Sequence, residues 1–268
     1  MKRIGLGLVL AGMLALLPIA SHAQQYTGIS GFLHIPSAEM NHEGDAHIGA
    51  HFLNRAMTPD TGFIFGGEKY HTLDYYLSIA PYSWLELGYT CTKRKITRPL
   101  SGDTVYGAKD RYFSVKIRPL PEGRYHPAIA IGCNDLGTTA FKKNQTNVQL
   151  YFSNFYVAAT KHFCFGGNEL GVNVAWRHYF RQYNGKWGGL VGGISFRPKF
   201  FPQGRAIVEY TGNEMLVGGD ALLWQHLLLQ LSVRSTKYAG FELCRENFLY
   251  ASFGLCLKLN MLGKRYTY

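Results

Sequence analysis

The sequence predicts an all-β protein: an antiparallel transmembrane β-barrel of the bacterial outer membrane, with about twelve strands. Three observations predict it. Short segments alternate residue by residue between an apolar and a polar or small face, again and again after residue 45. Aromatic residues are abundant, 18 Tyr and 17 Phe, and several fall at strand ends, where barrels meet lipid headgroups. The chain opens with a segment of export-leader form, and no later apolar run is long enough for a membrane helix.

Residues 1–23 read as a cleaved signal peptide: Lys2 and Arg3, an apolar run from Ile4 to Ile19 broken at Pro18, then Ser21-His22-Ala23. Residues 24–45 hold Gly28, Gly31 and Pro36 and form either an irregular first strand or a piece tucked into the lumen. Residues 46–268 are the barrel domain. In residues 46–54, Ile48, Ala50 and Phe52 share a face. Residues 55–71 read as a turn or distorted strand. Residues 73–80 and 84–92 form a hairpin around Pro81-Tyr82-Ser83, with Trp84 at the strand end. Residues 93–110 are basic, then polar, and read as a long loop. In residues 111–118, Phe113, Val115 and Ile117 oppose Ser114, Lys116 and Arg118.

The clearest unit runs from His126 to Phe163. Ala128, Ala130 and Gly132 alternate with Ile129, Ile131 and Cys133; Phe155, Val157 and Ala159 alternate with Tyr156, Ala158 and Thr160. Further strands are expected over 168–177, 189–197, 205–211, 226–234, 237–244 and 250–259, with Leu222 to Leu229 a candidate helical start. Tyr266 and Tyr268 end the chain at the membrane surface. Alternation alone does not separate a barrel from a soluble sandwich, because both keep one greasy face per strand. The leader, the aromatic strand ends, the Gly and Tyr content and the positive loops select the barrel, a monomer facing outer-membrane lipid and lipopolysaccharide.

The formal charge of +11 suits anionic lipid or acidic glycan. The positives are spread along the chain and no aromatic platform accompanies them, so nucleic acid is not expected as a partner. The five cysteines lie in no CxxC pair and have no metal-ligand spacing; they read as unpaired fillers. His47 and His51 stand about 13 Å apart on one strand face, too far for one ion, and with His42 they read as polar lumen residues. No metal or cofactor is expected. The chain has no GxSxG elbow, HExxH or phosphate-binding loop, and it is not expected to be an enzyme. Glu122, Asp135 and Glu209 have the chemistry of a glycan-cleaving carboxylate pair, but beside so many lysines and arginines they read as an ionic network. That expected lumen network comprises Lys116, Arg118, Glu122, Asn134, Asp135, Thr138, Lys161, Arg177 and Glu209. Such a network braces the wall or selects a charged solute.

The region from Lys116 to Lys161 resembles the YjbH-type outer-membrane proteins associated with exopolysaccharide production. The resemblance lies in Lys116, Arg118, Glu122-Gly123, Pro127, Ala130, Gly132, Asp135 and Gly137-Thr138, followed by Tyr156-Val157-Ala158-Ala159-Thr160-Lys161. The glycine-rich opening, Gly31 to Met40 with Pro36-Ser37-Ala38 and then Gly44, is also similar. Asn134 departs from the Arg common at that position, and Thr160 from the usual Ser. The similarity covers most of residues 26–180. It implies an outer-membrane barrel accessory to exopolysaccharide or capsule secretion, with surface polysaccharide and its secretion machinery as partners. A general diffusion porin or a non-conducting structural barrel is the alternative.

Overall fold

Twelve antiparallel strands close on themselves in a computed structural model that describes residues 23–58, 71–97, 101–135, 152–180, 188–235 and 251–262. The strands are β1 (Asp45–Leu53), β2 (Thr72–Tyr82), β3 (Leu85–Thr97), β4 (Thr104–Leu120), β5 (Ala128–Asn134) and β6 (Asn154–Phe165). They continue with β7 (Asn168–Tyr179), β8 (Gly189–Arg197), β9 (Gly204–Tyr210), β10 (Met215–Leu223), β11 (Leu227–Ser235) and β12 (Ala251–Asn260). Each pairs with its neighbour in sequence, and β1 pairs with β12 from Asp45↔Asn260 to Phe52↔Phe253. Closure leaves no unpaired edge, which a sheet in hydrocarbon requires.

The greasy faces point outward. Phe113 is 53% exposed and Phe253 47%, whereas Tyr112, Ser114 and Lys116 between and beside such positions are buried. Leu85 and Val172 are half-buried on the same outer wall. A two-sheet sandwich would hide these side chains. With an apolar band outside and polar groups inside, the chain is a barrel of the bacterial outer membrane. Ser83-Trp84, Gly166-Gly167 and Trp224 to His226 form short turns at one end, where Tyr82 stacks on Trp84 with centroids 5.5 Å apart. The strand ends at Leu53, Asn134, Tyr179 and Ser235 lie at the other end, each separated from the next strand by a longer stretch of sequence. Short turns face the periplasm in such barrels, so Asp45 and Asn260 mark the periplasmic end.

Three expectations are corrected. The long loop over 93–110 is mostly strand: β3 and β4 stay paired from Lys93↔Lys109 to Thr97↔Thr104. Their hydrogen-bond ladder continues where the apolar face stops. Leu222 to Leu229 is not a helical start but the β10–β11 hairpin, turned at Trp224 and Gln225, whose φ values are 49° and 64°. Met215–Leu223 is a strand that alternation did not reveal, because Gly218-Gly219 interrupts the pattern. β11 pairs directly with β12; residues 237–244, expected as a strand, fall outside the described residues. Residues 55–57 form a single 3-10 turn, and Tyr266 and Tyr268 also lie outside the described residues.

An eight-stranded barrel is filled by its own side chains, and a wider one has space left over. Here Ala23 to Asn41 fill it, buried at every position. The segment has no regular structure beyond isolated bridges Gln24↔Ser30 and Gly31↔Pro36. It turns at Gly28, whose φ of 79° favours glycine and whose missing Cβ would sit 2.7 Å from Tyr76 Cβ. It leaves the lumen at the periplasmic end, where Gly44 N–H donates to Ala80 O.

Candidate functional site

A buried backbone without a ladder must find hydrogen-bond partners elsewhere. For this plug the inward side chains of the wall supply them. Glu86 on β3 accepts from Ser30 N–H at 3.0 Å and from Asn41 N–H at 2.5 Å. Glu209 on β9 accepts from Ile35 N–H at 3.4 Å. Thr160 Oγ1 on β6 accepts from Ala38 N–H at 2.8 Å. The carbonyls are met by donors. Lys116 Nζ donates to Ser30 O at 2.8 Å, to Ser30 Oγ at 2.9 Å and to Glu39 O. Asn173 donates to Pro36 O at 2.9 Å, and Thr90 Oγ1 to Thr27 O at 2.8 Å. Arg177 Nη1 donates to His34 O at 3.0 Å. Burial, then the Arg177 charge, pushes the His34 imidazole well below its ordinary 6.5.

Apolar plug side chains meet places where the wall is thin. A Cβ on Gly193 would lie 2.9 Å from Phe32 Cδ2, one on Gly218 2.8 Å from Leu33 Cδ1, and one on Gly88 3.1 Å from Ile29 Cδ1. Phe32, Leu33 and Ile35 pack with Tyr156, Ala158, Ala175, Val191 and Ile207, and Ala38 packs on Ala128 and Ala130. The small inward residues of β5 to β7 therefore make room for the plug.

An ionic chain closes the periplasmic side. Glu39, from the plug, takes Arg205 Nη1 at 2.6 Å and Nη2 at 3.1 Å. Arg205 Nε donates to Asp220 at 2.7 Å. His162 Nε2 lies 3.3 Å from Glu39, and His162 Nδ1 lies 2.7 Å from Glu122. With a carboxylate at each nitrogen, the ring donates both ways only as imidazolium. Lys161 Nζ donates to Glu122 at 3.0 Å. Burial alone would raise the Glu122 carboxyl, but hydrogen bonds from the His162 ring and backbone and from Lys161 hold it below the ordinary range.

Of the nine residues expected as one network, the eight that are described occupy three levels. Lys116, Arg177 and Glu209 lie under the plug. Glu122 and Lys161 are half-buried at the periplasmic rim, where Arg118 Nη2 reaches Ser83 O at 2.9 Å. Asn134 and Asp135 are buried at the far end of β5, where Asn134 donates to Asn154 at 3.3 Å. Thr138 falls outside the described residues. A single network is thus corrected to separate sets, because the strands hold these residues at different heights. Glu122 precedes β5 and Asp135 follows it, a separation of about 23 Å along a seven-residue strand. The two do not form the carboxylate pair that glycan hydrolysis uses.

Sequence reading missed Glu39, Glu86, Asn173, Arg205 and Asp220. Glu86 carried a signal, a carboxylate between outward Leu85 and Leu87; Asp220 was hidden with its strand. His47 and His51 are both buried in the lumen, and His51 pairs with Gln230 at 2.9 Å. Among the described residues no cluster of three His, Cys, Asp or Glu is placed to hold a metal ion. Cys91, Cys133, Cys164 and Cys256 are free thiols.

A family described as exopolysaccharide biosynthesis protein YbjH matches residues 23–188, more than half of the chain. The chain belongs to the YjbH family. A relative, the uncharacterized lipoprotein YjbH of Escherichia coli (strain K12), is 23% identical over 289 residues, covering 94% of this chain and 37% of the relative. The chain thus spans little more than a third of that protein's length. Outer membrane phospholipase A from Escherichia coli superposes with a TM-score of 0.37 at 11% identity, over 82% of this chain and 98% of that one. The Salmonella typhi outer membrane phospholipase dimer with bound calcium gives 0.36 at 11%, over 81% and 91%.

The family-like segments meet in space. Glu39 and Ala38 belong to the opening motif, and Lys116, Ala130 and Thr160 to the central one. Lys116 bonds the Glu39 carbonyl, Thr160 bonds Ala38 N–H, and Ala130 packs on Ala38. What reads in the YjbH-like sequence as two motifs is one interface between plug and wall.

Proposed function

We propose that this chain is a non-enzymatic outer-membrane accessory to exopolysaccharide or capsule secretion, and that residues 24–44 are a plug that closes its conduit at rest. The observation that carries the reading is the wall beneath the plug. It presents Glu86, Lys116, Asn173, Arg177, Arg205 and Glu209 to a backbone of alternating donors and acceptors. The same mixed surface suits the hydroxyl groups of a sugar polymer once the plug has left. Membership of the YjbH family supports the glycan assignment, and surface polysaccharide with its secretion machinery are the partners it implies.

Two measurements test this. Deleting the gene is expected to lower surface glycan, and unchanged glycan on deletion cells removes the secretion role. In planar bilayers the intact protein is expected to be closed, while a variant lacking residues 24–44 conducts. A general diffusion porin would conduct with the plug in place. A structural barrel would leave glycan untouched.

A further inference from the structure

Large side chains ridge much of the described outer wall, including the far halves of β9 and β10 with Val208, Tyr210, Met215 and Val217, but not the periplasmic half between β8 and β11. There the outward positions of β9 and β10 include four small residues, Gly204, Ala206, Gly219 and Ala221, with Ala206 opposite Gly219 and Gly204 opposite Ala221. Phe196 of β8 stands beside Ala206. Leu231 of β11 stands beside Gly219, with Phe253 of β12 beyond it. From the β8–β9 turn Phe201 folds back across Gly204, where a Cβ would come within 2.2 Å of its ring. The result is a recess of about 740 Å³ with almost wholly apolar walls, a volume typical of small-ligand sites.

Its surroundings say what enters it. The recess is continuous with the hydrocarbon-facing band, since Ile194, Phe196, Val208, Val217 and Leu231 around it are all exposed. It lies toward the short turns, because Gly204 opens β9 and Leu223 closes β10. That half of the wall faces the periplasmic leaflet, which is built of phospholipid. An apolar recess does not retain water, and the phase around it supplies flexible methylene chains. Inside hydrocarbon there is no hydrophobic gain in moving such a chain; the aromatic walls hold it by dispersion contacts that an empty recess would forfeit.

We propose that this recess is a binding site for an acyl chain of a periplasmic-leaflet phospholipid, held at a defined place on the barrel. The test uses the full protein, extracted in detergent and examined by native mass spectrometry and lipid extraction. The wild type is expected to retain phospholipid. Ala206→Trp, which intrudes on the middle of the recess, should lower the retained amount by about tenfold, the loss of roughly a dozen carbon–carbon contacts. Ala221→Leu, a smaller intrusion, should act in the same direction if the larger residue prevents folding. Ile48→Trp, on the same outer wall away from the recess, should change nothing. Four results overturn the proposal: no phospholipid on the wild type, equal retention by the substituted variants, lipopolysaccharide in its place, or a dimer in the native mass spectrum that Ala206→Trp abolishes.

Discussion

Arg205 is the residue on which most of the plug's charge depends. It is buried between two buried carboxylates, Glu39 from the plug and Asp220 from β10. Removing one member of such a set leaves uncompensated charge in a dry place. Arg205→Ala should therefore cost about 3–5 kcal/mol of stability in urea unfolding of the vesicle-inserted barrel. Pairing it with Glu39→Gln should recover part of that loss, and simple additivity of the two would show that they do not interact. The pH dependence also belongs at this scale. His34 is held below its ordinary 6.5 when the plug is seated, so a released plug binds the proton that the seated one refuses. Seating is strongest above pH 6.5 and weakens as pH falls through that value. Glu122 is likewise held below its ordinary 4.5; its contribution is present above pH 4.5 and is lost on further acidification. Acid titration of bilayer conductance checks both: opening should begin below pH 6.5, and His34→Gln should flatten that first step.

Among the elements, the β10–β11 hairpin carries a local cost that can be measured. Its turn is closed by His226 N–H on Leu223 O at 3.1 Å, and both central residues, Trp224 and Gln225, have positive φ. A left-handed conformation at a residue with a side chain costs about 1–2 kcal/mol. Gln225→Gly should relieve about 1 kcal/mol of it, seen as a higher urea midpoint with unchanged slope. The same hairpin explains a misreading. Leu222 and Leu228 face in while Leu223 and Leu229 face out, so apolar residues crowd both faces and the period is lost. β3 and β4 were read short for a different reason. Beyond the bilayer the outer face has no need of greasy residues, while the hydrogen-bond ladder runs on through Lys93↔Lys109.

For the whole molecule, the decisive feature is that a barrel of this width holds a segment of its own chain buried inside it. The fit is tight where the wall lacks side chains. Gly193→Leu would drive into Phe32, whose ring carbon already stands 2.9 Å from the missing Cβ. The expected outcome is a folded barrel with a displaced plug, conducting in planar bilayers; a closed Gly193→Leu variant would mean that the segment adjusts without leaving. The outer surface makes the complementary statement. Its greasy band is indented at Ala206 and Gly219, where small residues replace the large side chains around them.

The sequence by itself determined the class of fold, the facing of Phe113 against Lys116, and the strand pair in the unit from His126 to Phe163, whose second strand the structure extends to Phe165. Those depend on a two-residue period and on neighbours in the chain, and both are written locally. Only the tertiary structure decided where residues 23–44 go and what holds them. Their partners, Glu86, Lys116, Thr160, Arg177 and Glu209, come from strands far apart in the chain, and no local pattern links them. They converge because closure turns every inward side chain toward one axis, and the plug's unpaired backbone takes whatever that axis offers.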